Sequence, residues 1–184
     1  ELLRRAEEIG ISIPQTLSIS NSSIQNETVR SALFNFPFPA VIKPQSSEQE
    51  VEGEYQKGGI HYLSSADQVV EFLSHEKNTA LNFLLQQQIV GPGVGVFALC
   101  HEGEILATFC HRRILEKPPS GGRSVLSESL LEGDAPVQAA QALLRSLRWN
   151  GVAMVEFKKS ADEQFYLMEI NPRFWGSLQL AIDS

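Results

Sequence analysis

Residues Val152–Arg173 read VAMVEFKKSADEQFYLMEINPR. Two apolar runs flank the polar step Ser160-Ala161-Asp162-Glu163, and the pattern predicts a β-hairpin with strands over 150–159 and 164–171. A turn centred between Asp162 and Glu163 sets Glu156 opposite Glu169 and Met154 opposite Asn171. Side chains alternate along a strand, so Glu169 and Asn171 share one face while Val155, Phe157, Met168 and Ile170 take the other. One face is core and the other acidic. Directly opposed carboxylates have Cβ atoms about 4.5–5.5 Å apart and destabilise a sheet, so a positive group is expected between them. A hard divalent cation with oxygen ligands fits Glu156, Glu169 and the amide oxygen of Asn171. A solvated face whose acids pair with Lys158 or Arg173 fits the same pattern.

Working outward, Pro39-Ala40-Val41-Ile42-Lys43-Pro44 is a compact apolar run closed by proline, a strand that ends where a loop begins. It delivers the Lys43 ammonium to that loop, where a point charge suits phosphate oxygens; a snorkelling lysine without a ligand is the plain alternative. In Leu84-Leu85-Gln86-Gln87-Gln88-Ile89-Val90-Gly91-Pro92-Gly93, a strand leaves its sheet at Gly91-Pro92 and offers main-chain groups beside apolar side chains, a setting for a purine ring or simply a strand and turn. Arg112, Arg113, Gly121, Gly122 and Arg123 form a cluster able to hold a phosphate or carboxylate, or a solvated loop. His61, His75, His101 and His111 have no metal or triad spacing and are assigned no chemistry.

The rest of the chain supports a mixed α+β order with antiparallel strands. Helices are expected over 2–9, 26–35, 65–75 and 134–147, and strands over 15–19, 60–63, 82–88, 93–101 and 104–115, the last two joined at Glu102-Gly103. Residues 45–57, rich in Glu, read as a long polar loop of functional length. The 184 residues, 42% hydrophobic, suffice for a globular unit that buries about 70% of its unfolded surface. Fifteen Lys+Arg against 22 Asp+Glu give a net charge of −7 without a basic block, which excludes general nucleic-acid binding. No apolar run is long enough to span a membrane, and the acidic opening is unlike a signal peptide, so a cytoplasmic protein is expected. Cys100 and Cys110 are too few for a disulfide framework. The first residue, Glu1, and the uncapped helix opening at Leu178 lead us to expect a piece of a longer protein.

Taken together these segments resemble the ATP-grasp superfamily, the fold of biotin carboxylase, carbamoyl phosphate synthase and D-alanine:D-alanine ligase. Glu8-Ile9-Gly10-Ile11-Ser12-Ile13-Pro14 is similar to the family's entry segment, Phe38–Pro44 to its phosphate-binding lysine strand, and Gln86–Gly91 to its adenine hinge. Val155-Glu156-Phe157 and Met168–Arg173 are similar to its two metal segments. The resemblance implies an ATP-grasp region over 1–184, with a smaller subdomain over 16–90, a larger one over 91–184 that carries the metal site, and a nucleotide cleft between them. It implies ATP with Lys43 at the α/β phosphates, Lys57 in a closing loop, and main-chain groups of Gln87 and Ile89 at adenine. Glu156, Glu169 and Asn171 would hold Mg²⁺ or Mn²⁺, Arg173 would face the transferred phosphate or the acyl phosphate, and Arg113 of the arginine cluster is the second catalytic candidate. The implied reaction joins a small-molecule carboxylate to an amine through an acyl phosphate; a homo-oligomer is compatible with it. Alternatives are a bicarbonate-using enzyme of the carbamoyl phosphate synthase or carboxylase type, and a nucleotide-binding module without catalysis. The chain departs from the family at Pro92 and Gly93, where many members carry an acid for ribose, and at Glu48, Glu50, Glu52 and Glu54, where a glycine-rich loop is usual.

Overall fold

The computed structural model describes residues 2–46, 49–51, 54–56, 59–117, 123–130 and 135–183. In chain order the elements are α1 (Leu2–Glu8), β1 (Thr16–Ser20), α2 (Glu27–Phe34), β2 (Ala40–Pro44), β3 (Gln49–Val51), β4 (Glu54–Gln56), β5 (His61–Leu63), α3 (Ala66–Ser74) and β6 (Asn82–Gln87). There follow β7 (Gly93–His101), β8 (Glu104–Lys117), β9 (Arg123–Leu130), α4 (Ala135–Ser146), β10 (Gly151–Lys159), β11 (Phe165–Asn171) and α5 (Leu178–Ile182). They fall into two units: Pro14–Gln88, and Glu1–Ile13 together with Ile89–Ser184.

In the unit Pro14–Gln88 an antiparallel sheet runs in the order β1-β6-β2-β5. Alternation sends Ile19, Ile42, Phe83 and Leu85 to one face, where they bury against Leu33 of α2 and Val69 and Leu73 of α3. Asn26 caps α2 by accepting from the Thr28 and Val29 amides at 2.9 and 3.4 Å, and Ser65 caps α3 by accepting from the Gln68 amide at 3.3 Å. The Gln87 amide donates to the Gln15 carbonyl at 2.9 Å, so the chain enters and leaves this unit on neighbouring strands. Residues 45–57 correct the expectation of a plain loop: β3 and β4 pair as a two-stranded antiparallel ribbon.

The other unit is built on a five-stranded antiparallel sheet in the order β11-β10-β7-β8-β9. Val94, Val96, Ala98 and Cys100 of β7, with Ala153 and Val155 of β10, bury against Val137, Ala140, Leu143 and Leu144 of α4. Such close-packed aliphatic contact is worth about 1.5–3 kcal/mol per fully buried side chain. Glu102 and Gly103 turn between β7 and β8 with φ of 49° and 85°, the left-handed pair a tight hairpin requires. The odd-numbered residues of β7, Gly93, Gly95 and Phe97, look to the opposite face of the sheet, away from α4. β9 is an addition to the expected strands: its Arg123–Leu130 sequence, RSVLSESL, mixes serines with apolar residues and gives no clean period.

The decisive hairpin needs one correction. Met154 pairs with Asn171, Val155 with Ile170 and Glu156 with Glu169, but a bulge follows and Phe157 pairs with Leu167. Nearer the turn the register is one residue away from that expected for a turn between Asp162 and Glu163, and the bulge restores it at the acids. In consequence Leu167, which is fully buried, takes the core place expected for Met168, which is only half-buried.

Candidate active site

The face of the larger sheet opposite α4 carries a cavity of about 640 Å³ lined by His111, Arg113, Met154, Glu156, Glu169, Arg173, Trp175 and Ser177, among others. The register explains why these side chains meet. A single cross-strand row runs Glu169, Glu156, Gly95, His111 through β11, β10, β7 and β8. Gly95 leaves that row without a side chain at its centre: a Cβ built there would lie 2.8 Å from His111 Nε2 and 2.8 Å from Phe97 Cζ. At Gly93 a Cβ would lie 2.8 Å from Glu116 Oε1 and 3.0 Å from Arg113 Cδ. The two glycines open a trough through which Arg113 crosses from β8 to β10.

Arg113 Nη2 lies 2.7 Å from Glu156 Oε2 and Nη1 lies 3.3 Å from Glu116 Oε1. Of the expected alternative partners of the acids, Lys158 donates to the Gly91 carbonyl at 3.3 Å, while Arg173, whose Nη1 donates to the Phe174 carbonyl at 3.2 Å, still favours the charged form of Glu156 through its positive charge. Burial pushes the Glu156 carboxyl above the ordinary carboxylate range; Arg113 opposes this, and the neighbouring Glu169 reinforces it. The carboxylate is thus under-compensated where it stands, and a further cation would favour its charged form.

Asn171 Nδ2 donates to Glu156 Oε1 at 3.2 Å and to Glu169 Oε1 at 2.7 Å. The amide nitrogen therefore brings positive hydrogens to the place between the carboxylates that a cation would favour, and a half-turn of the amide would present Oδ1 there instead. Two carboxylates and an amide oxygen fit Mg²⁺, which keeps waters and phosphate oxygens for its other positions. Among the described residues no group of three or more His, Cys, Asp or Glu gathers for a metal, so the set does not resemble a nitrogen- or sulfur-rich cage.

His111, passed over in the sequence for want of a partner at fixed spacing, is 3% exposed. Its Nδ1 lies 2.8 Å from Ser177 Oγ, its ring stands edge-on to Phe97, and Nε2 has no hydrogen-bond partner among the described residues. Burial, assisted by the Arg113 charge, lowers its pKa to about 4, so the ring is neutral at physiological pH. Trp175 stacks on Phe97 with centroids 4.0 Å apart and covers the apolar end of the cavity. The sequence signal for His111 was the alternation of β7 and β8, which places 95, 97, 111 and 113 on the face of the acids; Trp175, beyond the end of β11, had none.

Of the remaining expected residues, Lys43 and Gln87 belong to the other unit. Lys43 is the penultimate residue of β2 and donates from Nζ to Gln86 Oε1 at 3.1 Å. The Gln87 amide is spent on Gln15, so the main-chain group it can offer a base is its carbonyl. Ile89 is buried just after the boundary between the units. Lys57 lies outside the described residues, as do Gly58, Gly121 and Gly122, and Arg123 is described only as the first residue of β9.

Among solved structures, the chain is similar to D-alanine–D-alanine ligase from Bacillus anthracis complexed with ATP, at 17% identity over 93% of this chain and 51% of that one, with a TM-score of 0.59. It is similar to the ADP complex of purK, N5-carboxyaminoimidazole ribonucleotide synthetase, at 20% identity over 95% and 44%, with a TM-score of 0.66. It is also similar to the ATP-grasp ligase PsnB complexed with its precursor peptide PsnA2 and AMPPNP, at 12% identity over 96% and 50%, with a TM-score of 0.63. The chain thus spans between 44% and 51% of the lengths of these three proteins, and at such identities the likeness is one of fold. No curated protein matches the sequence. The model of a family described as ATP-grasp in the biosynthetic pathway with Ter operon matches residues 79–184, more than half of the chain and the whole of the stretch from β7 through the acidic hairpin; the chain belongs to this ATP-grasp family.

Proposed function

We propose that the chain is the ATP-binding region of an ATP- and Mg²⁺-dependent ligase that activates a carboxylate as an acyl phosphate for attack by an amine. The observation that carries this reading is the gathering of Glu156, Glu169, Arg113 and Arg173 on one cavity, with Asn171 hydrogen-bonded to both acids. Lys43 is the candidate for the α/β phosphates, and main-chain groups of Gln87 and Ile89 for adenine. Glu156, Glu169 and Asn171 would hold Mg²⁺, which supplies charge neutralisation between the two anions that must meet. In the reaction a substrate carboxylate oxygen bonds to the γ-phosphorus as the bond to ADP breaks. The amine nitrogen then bonds to the acyl carbon, phosphate leaves, and the nitrogen gives up a proton. Arg173 and Arg113 would hold anionic oxygens, and Trp175 and Phe97 would limit water at one wall. The peptide-bound relative widens the candidate acids to peptide side chains and termini.

A metal-free nucleotide-binding module is favoured by one observation, the Arg113–Glu156 pair at 2.7 Å, since a guanidinium there already meets half of the acidic charge. Thermal unfolding separates the two. ATP with Mg²⁺ at about 100 times its dissociation constant is expected to stabilise the protein by roughly 2.7 kcal/mol. The gain is expected to vanish in EDTA and in Glu169→Gln. Equal stabilisation with and without EDTA would establish the module and retire the ligase.

A further inference from the structure

We infer that Gln86, held in one orientation by Thr16, positions the Lys43 ammonium for a nucleotide phosphate; the inference rests on the nucleotide reading of Lys43. Gln86 is 2% exposed, the deepest polar side chain of its sheet, and a buried amide is kept only where its donors and acceptor are met. Its Oε1 accepts from Lys43 Nζ at 3.1 Å and its Nε2 donates to Thr16 Oγ1 at 3.1 Å. Thr16 Oγ1 in turn lies 2.8 Å from the Pro14 carbonyl.

The direction of this chain follows from its last member. A carbonyl only accepts, so the Thr16 hydroxyl must spend its single proton on Pro14 and has only lone pairs left for Gln86. Gln86 must then turn its NH₂ to Thr16, and the rigid amide turns its oxygen to Lys43. In the reverse orientation a buried NH₂ would face an ammonium, and Thr16 would confront a second acceptor, leaving groups unmet on both sides. Register supplies the geometry. Thr16 on β1 is directly opposite Gln86 on β6, and Lys43 on β2 is opposite Leu84, one same-face step along β6 from Gln86. Gln86 thereby anchors the tip of a long flexible side chain, which lowers the ordering cost of a phosphate contact.

Titration calorimetry of the full chain with Mg²⁺·ATP and with adenosine tests this, adenosine being the probe without phosphates. Thr16→Val and Gln86→Leu are expected to weaken ATP about tenfold, the scale of one charge-assisted hydrogen bond, and to change adenosine less than twofold. Thr16→Ser, which keeps the hydroxyl, is expected to restore ATP affinity. On ¹⁵N-glutamine-labelled protein, the Gln86 side-chain NH₂ is expected to exchange slowly in wild type and Thr16→Ser and rapidly in Thr16→Val. If Thr16→Val fails to fold, Thr16→Ala takes its place in both measurements. Undiminished ATP affinity, an equal loss for ATP and adenosine, or unchanged NH₂ exchange in Thr16→Val would overturn the inference while leaving nucleotide binding intact. A wild-type chain that binds neither probe would overturn the nucleotide reading itself.

Discussion

The His111 imidazole faces two demands, an ordinary pKa near 6.5 in the unfolded chain and about 4 in its buried place beside Arg113. Between those values the unfolded state binds more protons, so stability is full above pH about 6.5 and drains away as pH falls towards 4. The total is on the order of 3 kcal/mol. Chemical denaturation across this window is expected to show a limb that is flatter in His111→Gln; parallel profiles would assign the acid sensitivity elsewhere. Glu156 runs the opposite way, because a raised carboxyl contributes fully below the ordinary range and loses that contribution as pH rises. The two acids, Asn171 and Lys43 were legible in the sequence because their chemistry shows in type and spacing. His111 and Trp175 were not, since their significance comes from strands that lie far apart in the chain and meet only in the sheet. The partner of Glu156 was equally hidden: Arg113 is far off in sequence and reaches it only across a strand lacking side chains at 93 and 95.

At the scale of elements, β7 is a packed aliphatic strand on one face and a trough on the other. Gly95→Ala is expected to cost about 1–3 kcal/mol by overpacking, because its Cβ would press on both the His111 and Phe97 rings. Denaturant titration measures the loss, and a ring current shift at Trp175 should report the displaced Phe97; an unchanged midpoint would show that the row relaxes freely. Gly91 is tighter still, with φ of 151° and a built Cβ only 1.7 Å from the Lys159 carbonyl oxygen. Strands carried by compact apolar runs, β2, β6, β7 and β10, were readable. The β3–β4 ribbon was obscured by its charge and β9 by its serines, for both lack the apolar period that marks a half-buried strand. The bulge was invisible because no residue in 157–169 demands one; the register at the acids survived only because the misplaced turn centre and the unseen extra residue compensate.

At the scale of the whole molecule, each unit has its own aliphatic core, and both tryptophans, Trp149 and Trp175, belong to the unit formed by Glu1–Ile13 and Ile89–Ser184. Replacing residues 15–87 with a short Gly/Ser linker is expected to leave the five-stranded sheet folded, with its tryptophan near-ultraviolet circular dichroism retained. Loss of that signal would mean that the larger core depends on the smaller unit. The expectation of two subdomains came from the family resemblance rather than from the order of elements, and it left out the placement of α1 with the later half of the chain, since its Ala6 contributes to a core whose other members begin at Ile11 and Val94. The clasp between Gln15 and Gln87 has a wider meaning. A segment whose two ends lie side by side is a cassette: recombination among relatives could exchange the lysine, its glutamine tether and the ribbon in one event, and leave the acid-bearing scaffold untouched.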